Sequence, residues 1–353
     1  MDTLISPRRR TLVTALGASA LLAGCSEGLL SRAARRPLAA FEGPSMGTTW
    51  TTKLAGDLPG ALAKEGGDLV TRALAAVVDR MSAHLATSEL GRFNRHASTA
   101  PFAVSRETLD VFALAAAVSR ETAGAFDVTV APAVDAWGFG PAGRAGLPSA
   151  ADLAALPPAD WRGIAIDDKA LTLAKSRADL RADLSAIAKG YGVDAAAAAL
   201  LAAGAKDFLV EAGGEVRCLG ANAEGRPWRV GIERPDLARR EAMVVVPLVG
   251  RSMATSGDYR IFFEHEGRRY SHEIDPATRA PVQGDLASVS VVSPDCARAD
   301  ALATALFVMG SKRGYEWAAD KGEAACFIVR GADGKLALRE TPAFAKLGAE
   351  RVA

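Results

Sequence analysis

From Phe208 onward the chain breaks into short β-type runs, Phe208–Glu211, Val216–Leu219, Trp228–Ile232, Met243–Leu248 and a pair around His265-Glu266-Gly267, punctuated by glycine or proline. That succession reads as an antiparallel sheet, whose members are joined by turns rather than crossover helices. Apolar residues at helical spacing mark 61–80 and 105–122, the second opening on Ser105 as an N-cap. Ile164–Ile166 and Leu171–Leu173 read as a hairpin, Lys189–Ala203 as an Ala-rich helix, and a helix from about Ala297 to Met309 precedes a terminal pair of strands. With no regular βαβ alternation and no Rossmann fingerprint, the expected class is α+β: largely antiparallel mixed sheets with packed helices. Gly213-Gly214 is open to two readings, a turn of positive φ or a phosphate contact.

Charge excludes one class of partner. Forty-two basic against 41 acidic side chains leave a net charge of +1, too little field to hold a nucleic acid. Cys25, Cys218, Cys296 and Cys326 show no C-x-x-C spacing, so neither a disulfide framework nor a zinc knuckle is expected.

The N-terminus has its own organisation. Arg8, Arg9 and Arg10 precede an uncharged stretch, Thr11 to Gly24, the length of a signal-peptide core and too short to span a bilayer. Leu21-Leu22-Ala23-Gly24-Cys25 resembles a lipobox, which would leave Cys25 as a lipid-bearing N-terminus; an ordinary signal cut at a nearby small residue is the other reading. The expected organisation is an export signal over 1–24, a tether over 25–44 whose Arg32, Arg35 and Arg36 face anionic headgroups, and one folded domain over 45–353. Its location is then the periplasmic face of a bacterial membrane.

No Gly-x-Ser-x-Gly elbow, His-Glu-x-x-His or Walker lysine loop is present, which removes the common hydrolase, zinc-protease and P-loop templates. Asp300 and Thr304 stand four residues apart, on one helical face. Hard oxygen donors without imidazole or thiolate suit Mg²⁺. The alternative is a solvated surface pair, which the apolar neighbours of Asp300 disfavour. His272, in Tyr270–Pro276, is a candidate general base or a structural imidazole. Asp183–Gly192 runs from a loop into a helix start, where free N–H groups suit an anion.

In order, these segments resemble one family, the ApbE-type FAD:protein FMN transferases. The likeness runs from Met46 to about Gly310, through Met46–Trp50, Met81–Asn94, Gly124–Val130, Asp183–Gly192, Ala254–Tyr259, His272–Pro281 and Ala299–Thr304. It implies an ApbE-like (T-fold-like) architecture and a transferase that splits FAD at its pyrophosphate. FMN is then attached through a phosphoester to a Ser or Thr of an exported acceptor protein, and AMP leaves. By that likeness Asp300 and Thr304, with a contact from Ala186, hold Mg²⁺, and Asp300 and His272 are the catalytic pair. Met46, His84, Ala125, Phe126, Asp127, Asp183, Lys189 and Ile274 contact the flavin nucleotide. Alternatives are an FAD pyrophosphatase, with water as acceptor, and a non-catalytic FAD-binding lipoprotein. Three positions depart from the family pattern: His84 where many relatives carry an aromatic residue, Ala186 with only a carbonyl to offer, and Arg279 where glycine is common.

Overall fold

A computed structural model describes residues 36–141, 143, 146–236 and 240–352. The expected export segment, Cys25, Arg32 and Arg35 lie outside the described residues. Eight strands make the main sheet: β1 (Leu38–Ser45), β2 (Thr48–Ala55), β3 (Phe208–Ala212), β4 (Glu215–Leu219), β5 (Arg251–Gly257), β6 (Leu286–Ser293), β7 (Ala324–Arg330) and β8 (Leu336–Glu340). Their order across the sheet is their order along the chain, and every neighbouring pair is antiparallel. The α+β class is therefore the observed one. Gly213 and Gly214, both at positive φ, form the turn from β3 to β4.

The remaining elements hang between adjacent strands. Residues 56–207 carry α1 (Leu62–Met81), α2 (Glu89–Arg95), α3 (Arg106–Glu121), α4 (Ala131–Ala136), α5 (Ala150–Ala155), α6 (Ser185–Ala202) and a small sheet of Phe102–Ala103, Ile164–Asp167 and Thr172–Lys175. Strands Trp228–Glu233 and Ala242–Leu248 intervene between β4 and β5 and pair with each other, and Glu350–Arg351 pairs with the second of them. Two hairpins, Phe262–His265 with Arg268–Ser271 and Ile274–Asp275 with Ala280–Pro281, join β5 to β6, and α7 (Cys296–Lys321) joins β6 to β7.

Both faces of the sheet are covered, so β6 is buried at all eight positions. Val289, Val291 and Phe327 pack with α3, α6 and α7, whereas Val292, Cys326 and Ile328 point the other way, against Trp228, Val244 and Val246. In α1, Leu62, Gly66, Val70, Leu74, Val77 and Met81 recur at intervals of three and four and line its buried stripe. Cys218, Cys296 and Cys326 are buried free thiols, acting as small apolar side chains. Among the described residues, no helix is long and apolar enough to cross a membrane.

Two boundaries differ from the sequence reading. The folded body begins before residue 45: β1 is an edge strand, and Arg36 is held by Asp207 at 2.8 Å and by the carbonyls of Ala221 and Asn222. Arg36 is thus spent inside the fold and is not a headgroup contact. Helix α6 starts at Ser185 rather than 189, because Asp183 Oδ1 accepts the Ser185 amide at 2.8 Å and turns the chain there. The helix end expected near Met309 is observed: Gly310, at φ 82° and ψ 176°, breaks α7 there, and a second helical segment continues to Lys321.

Helices α6 and α7 cross at unusually close range. An added Cβ on Gly190 would lie 2.4 Å from the Cys296 carbonyl oxygen and 2.8 Å from Asp300 Cβ. Nearby, the Asp194 carboxylate of α6 accepts the amides of Cys296 and Ala297, both at 3.0 Å, and so caps α7 from outside its own sequence. Gly190→Ala must push the helices apart, and a loss of about 1–3 kcal/mol in urea unfolding is expected, the range for overpacking.

Candidate active site

The α6–α7 crossing places a cluster of charges. Asp300, in the second turn of α7, is 4% exposed, and its Oδ2 accepts the Gly190 amide at 2.9 Å. Its Oδ1 lies 3.8 Å from Lys189 Nζ, which donates to Glu215 Oε1 of β4 at 2.5 Å. One turn along α7, Thr304 Oγ1 lies 3.1 Å from Ser256 Oγ, near the end of β5. Helical geometry sets the carbonyl of residue 186 facing the amide of residue 190. Ala186 lies in the first turn of α6, four residues before Gly190.

Carboxyl groups are in excess here. Asp300, Glu215 and Glu273 are all buried around one ammonium group, that of Lys189. Burial opposes the Lys189 charge, but Asp300 and Glu215 outweigh it and hold its pKa above the ordinary value. Burial raises the pKa of Asp300 and of Glu215, with Lys189 pulling each back. Glu273 is pushed up to about 7 by burial, against the Ser256 hydroxyl, Lys189 and the Gly257 amide, which favour its anion. Glu215 Oε2 is buried without a hydrogen-bond partner. Among the described residues, no group of three or more His, Cys, Asp and Glu side chains is placed to hold a metal ion by itself. Asp300 and Thr304 put a carboxylate and a hydroxyl, both hard oxygen groups, one turn apart on α7.

His272 adjoins this cluster. Its Nδ1 is 3.2 Å from the Ile261 carbonyl oxygen, and a carbonyl only accepts, so Nδ1 carries the hydrogen and Nε2 keeps its lone pair. Nε2 is 3.8 Å from Glu273 Oε1. Burial, then the Lys189 charge, lower the His272 pKa to about 4, so the ring is neutral at pH 7. The Asp183 carboxylate acts on it in the opposite direction.

The other expected flavin contacts are distributed differently. Asp183 leads into α6, and its amide donates to Val128 at 2.7 Å, which ties the Gly124–Val130 segment to the cluster. Asp127 lies in that segment, but its carboxylate is taken up by the Thr129 amide and hydroxyl, both at 2.7 Å, and by the Trp161 amide at 3.0 Å. It caps a short 3₁₀ turn, while Ala125 and Phe126 are buried, Phe126 within the main core. Met46, at φ 52° in the β1–β2 turn, rests against Gly192 of α6. Ile274 packs with Ala133 and Trp137. His84 is exposed after α1, with no hydrogen bond or ion pair to the cluster among the described residues. Arg279 adopts φ 58°, the left-handed turn that favours glycine, and its guanidinium donates to the Leu156 carbonyl at 2.8 Å.

Glu215, Glu273 and Ser256 escaped the sequence reading as site residues. Glu215 follows the Gly213-Gly214 turn and Glu273 follows His272, but only the tertiary fold brings either beside Lys189.

The sequence model of the ApbE family matches residues 46–328. The chain is similar to an FAD:protein FMN transferase of Vibrio cholerae, 41% identical over 330 residues, which cover 92% of this chain and 95% of that one. A transferase of the same name from Haemophilus influenzae is 38% identical, with 87% and 90% covered. The solved flavin transferase ApbE from Vibrio cholerae superposes with a TM-score of 0.81 at 39% identity, covering 88% of this chain and 99% of that one.

A carboxylate whose pKa rises on folding favours the folded state below its unfolded value and loses that contribution as pH climbs through the folded value. For Glu273 the window runs from the ordinary 4.5 to about 7. Glu273→Gln should therefore gain stability over the parent as pH rises from 5 to 8, without added metal. Paired thermal melts across that range check it, and a difference independent of pH refutes it.

Proposed function

The chain belongs to the ApbE family, and from that premise we propose that it transfers FMN from FAD to a Ser or Thr hydroxyl of an acceptor protein, with Mg²⁺, releasing AMP. The observation that carries the reading is the contact of Gly190 and Lys189 with Asp300, one helical turn from Thr304. The residues present fit a divalent cation: buried carboxylates exceed buried ammonium groups, and Glu215 Oε2 has no hydrogen-bond partner. Asp300, Thr304 and the Ala186 carbonyl would hold it. When bound, it supplies Lewis-acid neutralisation of charge on the pyrophosphate.

The chain's own groups then divide the work. Lys189 adds a fixed positive charge beside Asp300. His272 Nε2 takes the proton from the acceptor hydroxyl as its oxygen bonds to the FMN phosphorus. The bond from that phosphorus to the bridging oxygen breaks, and AMP leaves with the oxygen. The imidazolium so formed lies 3.8 Å from Glu273, where an opposite charge favours it. Residues 1–24 and Cys25 support export and lipid attachment, which would set the site among exported acceptors.

The test is the full chain incubated with FAD and Mg²⁺, with and without an acceptor, followed by AMP release and protein-bound flavin fluorescence. AMP without bound flavin in the acceptor's presence would make the protein a pyrophosphatase; no AMP under any condition would make it a binder. His272→Ala should slow transfer by roughly 10²–10⁴, the usual share of a general base, with FAD affinity changed little. Transfer at the parent rate would remove His272 from the chemistry.

A further inference from the structure

One carbonyl oxygen fixes both the chain and the ring of His272. The His272 backbone N–H donates to Ile261 O at 3.1 Å, and Nδ1 lies 3.2 Å from the same oxygen. The Ile261 side chain is 55% exposed and supplies little packing to hold that carbonyl in place. Ile261 leads into the strand Phe262–His265, which pairs with Arg268–Ser271 in a sheet of two strands. A two-stranded hairpin is marginal in water unless one face packs on something else.

Here the packing is aromatic. Phe263 and Tyr270 are cross-strand partners, their ring centroids 5.3 Å apart and their planes 18° from parallel. Two residues just after α4 extend the stack: Trp137 lies on Tyr270 at 5.4 Å and Phe139 on Phe263 at 5.6 Å. Trp137 is itself fixed, being 6% exposed, with its Nε1 donating to the Arg279 carbonyl at 2.8 Å. Phe139 also meets the His272 ring edge-on, at 6.4 Å and 65°. Four stacked rings thus tie the segment after α4 to the hairpin whose carbonyl receives the His272 hydrogen, and one of them packs on the imidazole as well. A neutral imidazole has one hydrogen for two nitrogens, and without that carbonyl it can place the hydrogen on either. We infer that Phe263 and Phe139 are positioning residues: by clamping the hairpin and the ring, they keep the hydrogen on Nδ1 and the lone pair on Nε2. The inference rests on His272 being the base and adds what holds that base in its working tautomer.

Nitrogen-15 NMR of the full chain, labelled at its four histidines, reads the tautomer without turnover. His272→Ala assigns the signal, and at pH 7.5 the parent ring should carry hydrogen on Nδ1 alone. Phe263→Ala and Phe139→Ala should each lose that single pattern, with Nε2 gaining hydrogen, and should slow FMN transfer roughly 10-fold or more at little change in FAD affinity. His96, which packs on Phe102 at 5.3 Å, should keep its signal and so reports that a variant has folded. Phe139 lies outside the hairpin and carries the test should Phe263→Ala fail to fold. Leu153→Ala thins the same apolar cluster without removing a ring and should keep the parent pattern. Hydrogen on Nε2 in the parent overturns the inference, as does the parent pattern in either phenylalanine variant that folds. Equal loss of the pattern in Leu153→Ala overturns it too, since any loosening of the cluster would then suffice. So does transfer at the parent rate by the phenylalanine variants when His272→Ala is defective. Parent-rate transfer by His272→Ala, with the tautomer changes as expected, overturns the base assignment and leaves the clamp standing.

Discussion

Everything in the cluster depends on the missing side chain at residue 190. Because Gly190 has no Cβ, α6 and α7 approach until the Asp300 carboxylate reaches a backbone amide of the other helix. A carboxylate buried to that degree needs such a partner, since an unpaired one would take up a proton. The same approach brings Lys189 beside Asp300 and lets Asp194 cap the start of α7. Packing and electrostatics are thus set by one crossing point, and the crossing is fixed before any substrate arrives.

The second determinant is the sheet, which presents residues far apart in sequence at neighbouring strand ends. Glu215 begins β4, Ser256 nearly ends β5, and His272 and Glu273 sit between the two hairpins that follow. Each reaches the α6–α7 crossing from a different connection. Glu215 and Glu273 thus join Asp300 of α7 around Lys189, which explains why its pKa rises despite burial.

Local patterns in the sequence revealed the parts of this arrangement that are themselves local. Asp300 and Thr304 were readable because spacing of four residues on a helix fixes a shared face, and the strand series from Phe208 was readable from its turns. Strand β1 was not. Its half-exposed edge lacks a strong apolar alternation, and Gly43, which looks like a breaker, is required because a Cβ there would lie 2.9 Å from Trp50 Nε1. Asp127 was expected at the flavin on resemblance alone, and the Trp161 amide bound to its carboxylate comes from 34 residues away. Glu215 and Glu273 illustrate the same limit from the other side: nothing beside them in sequence signals a shared lysine.

The agreement between chain order and strand order carries a kinetic consequence. The pairs β1–β2, β3–β4 and β7–β8 close over short turns, whereas joining β2 to β3 must first enclose residues 56–207. Loop-closure entropy places such long enclosures late in assembly. A partly assembled chain would hold isolated hairpins but no juxtaposed Lys189, Glu215 and Asp300.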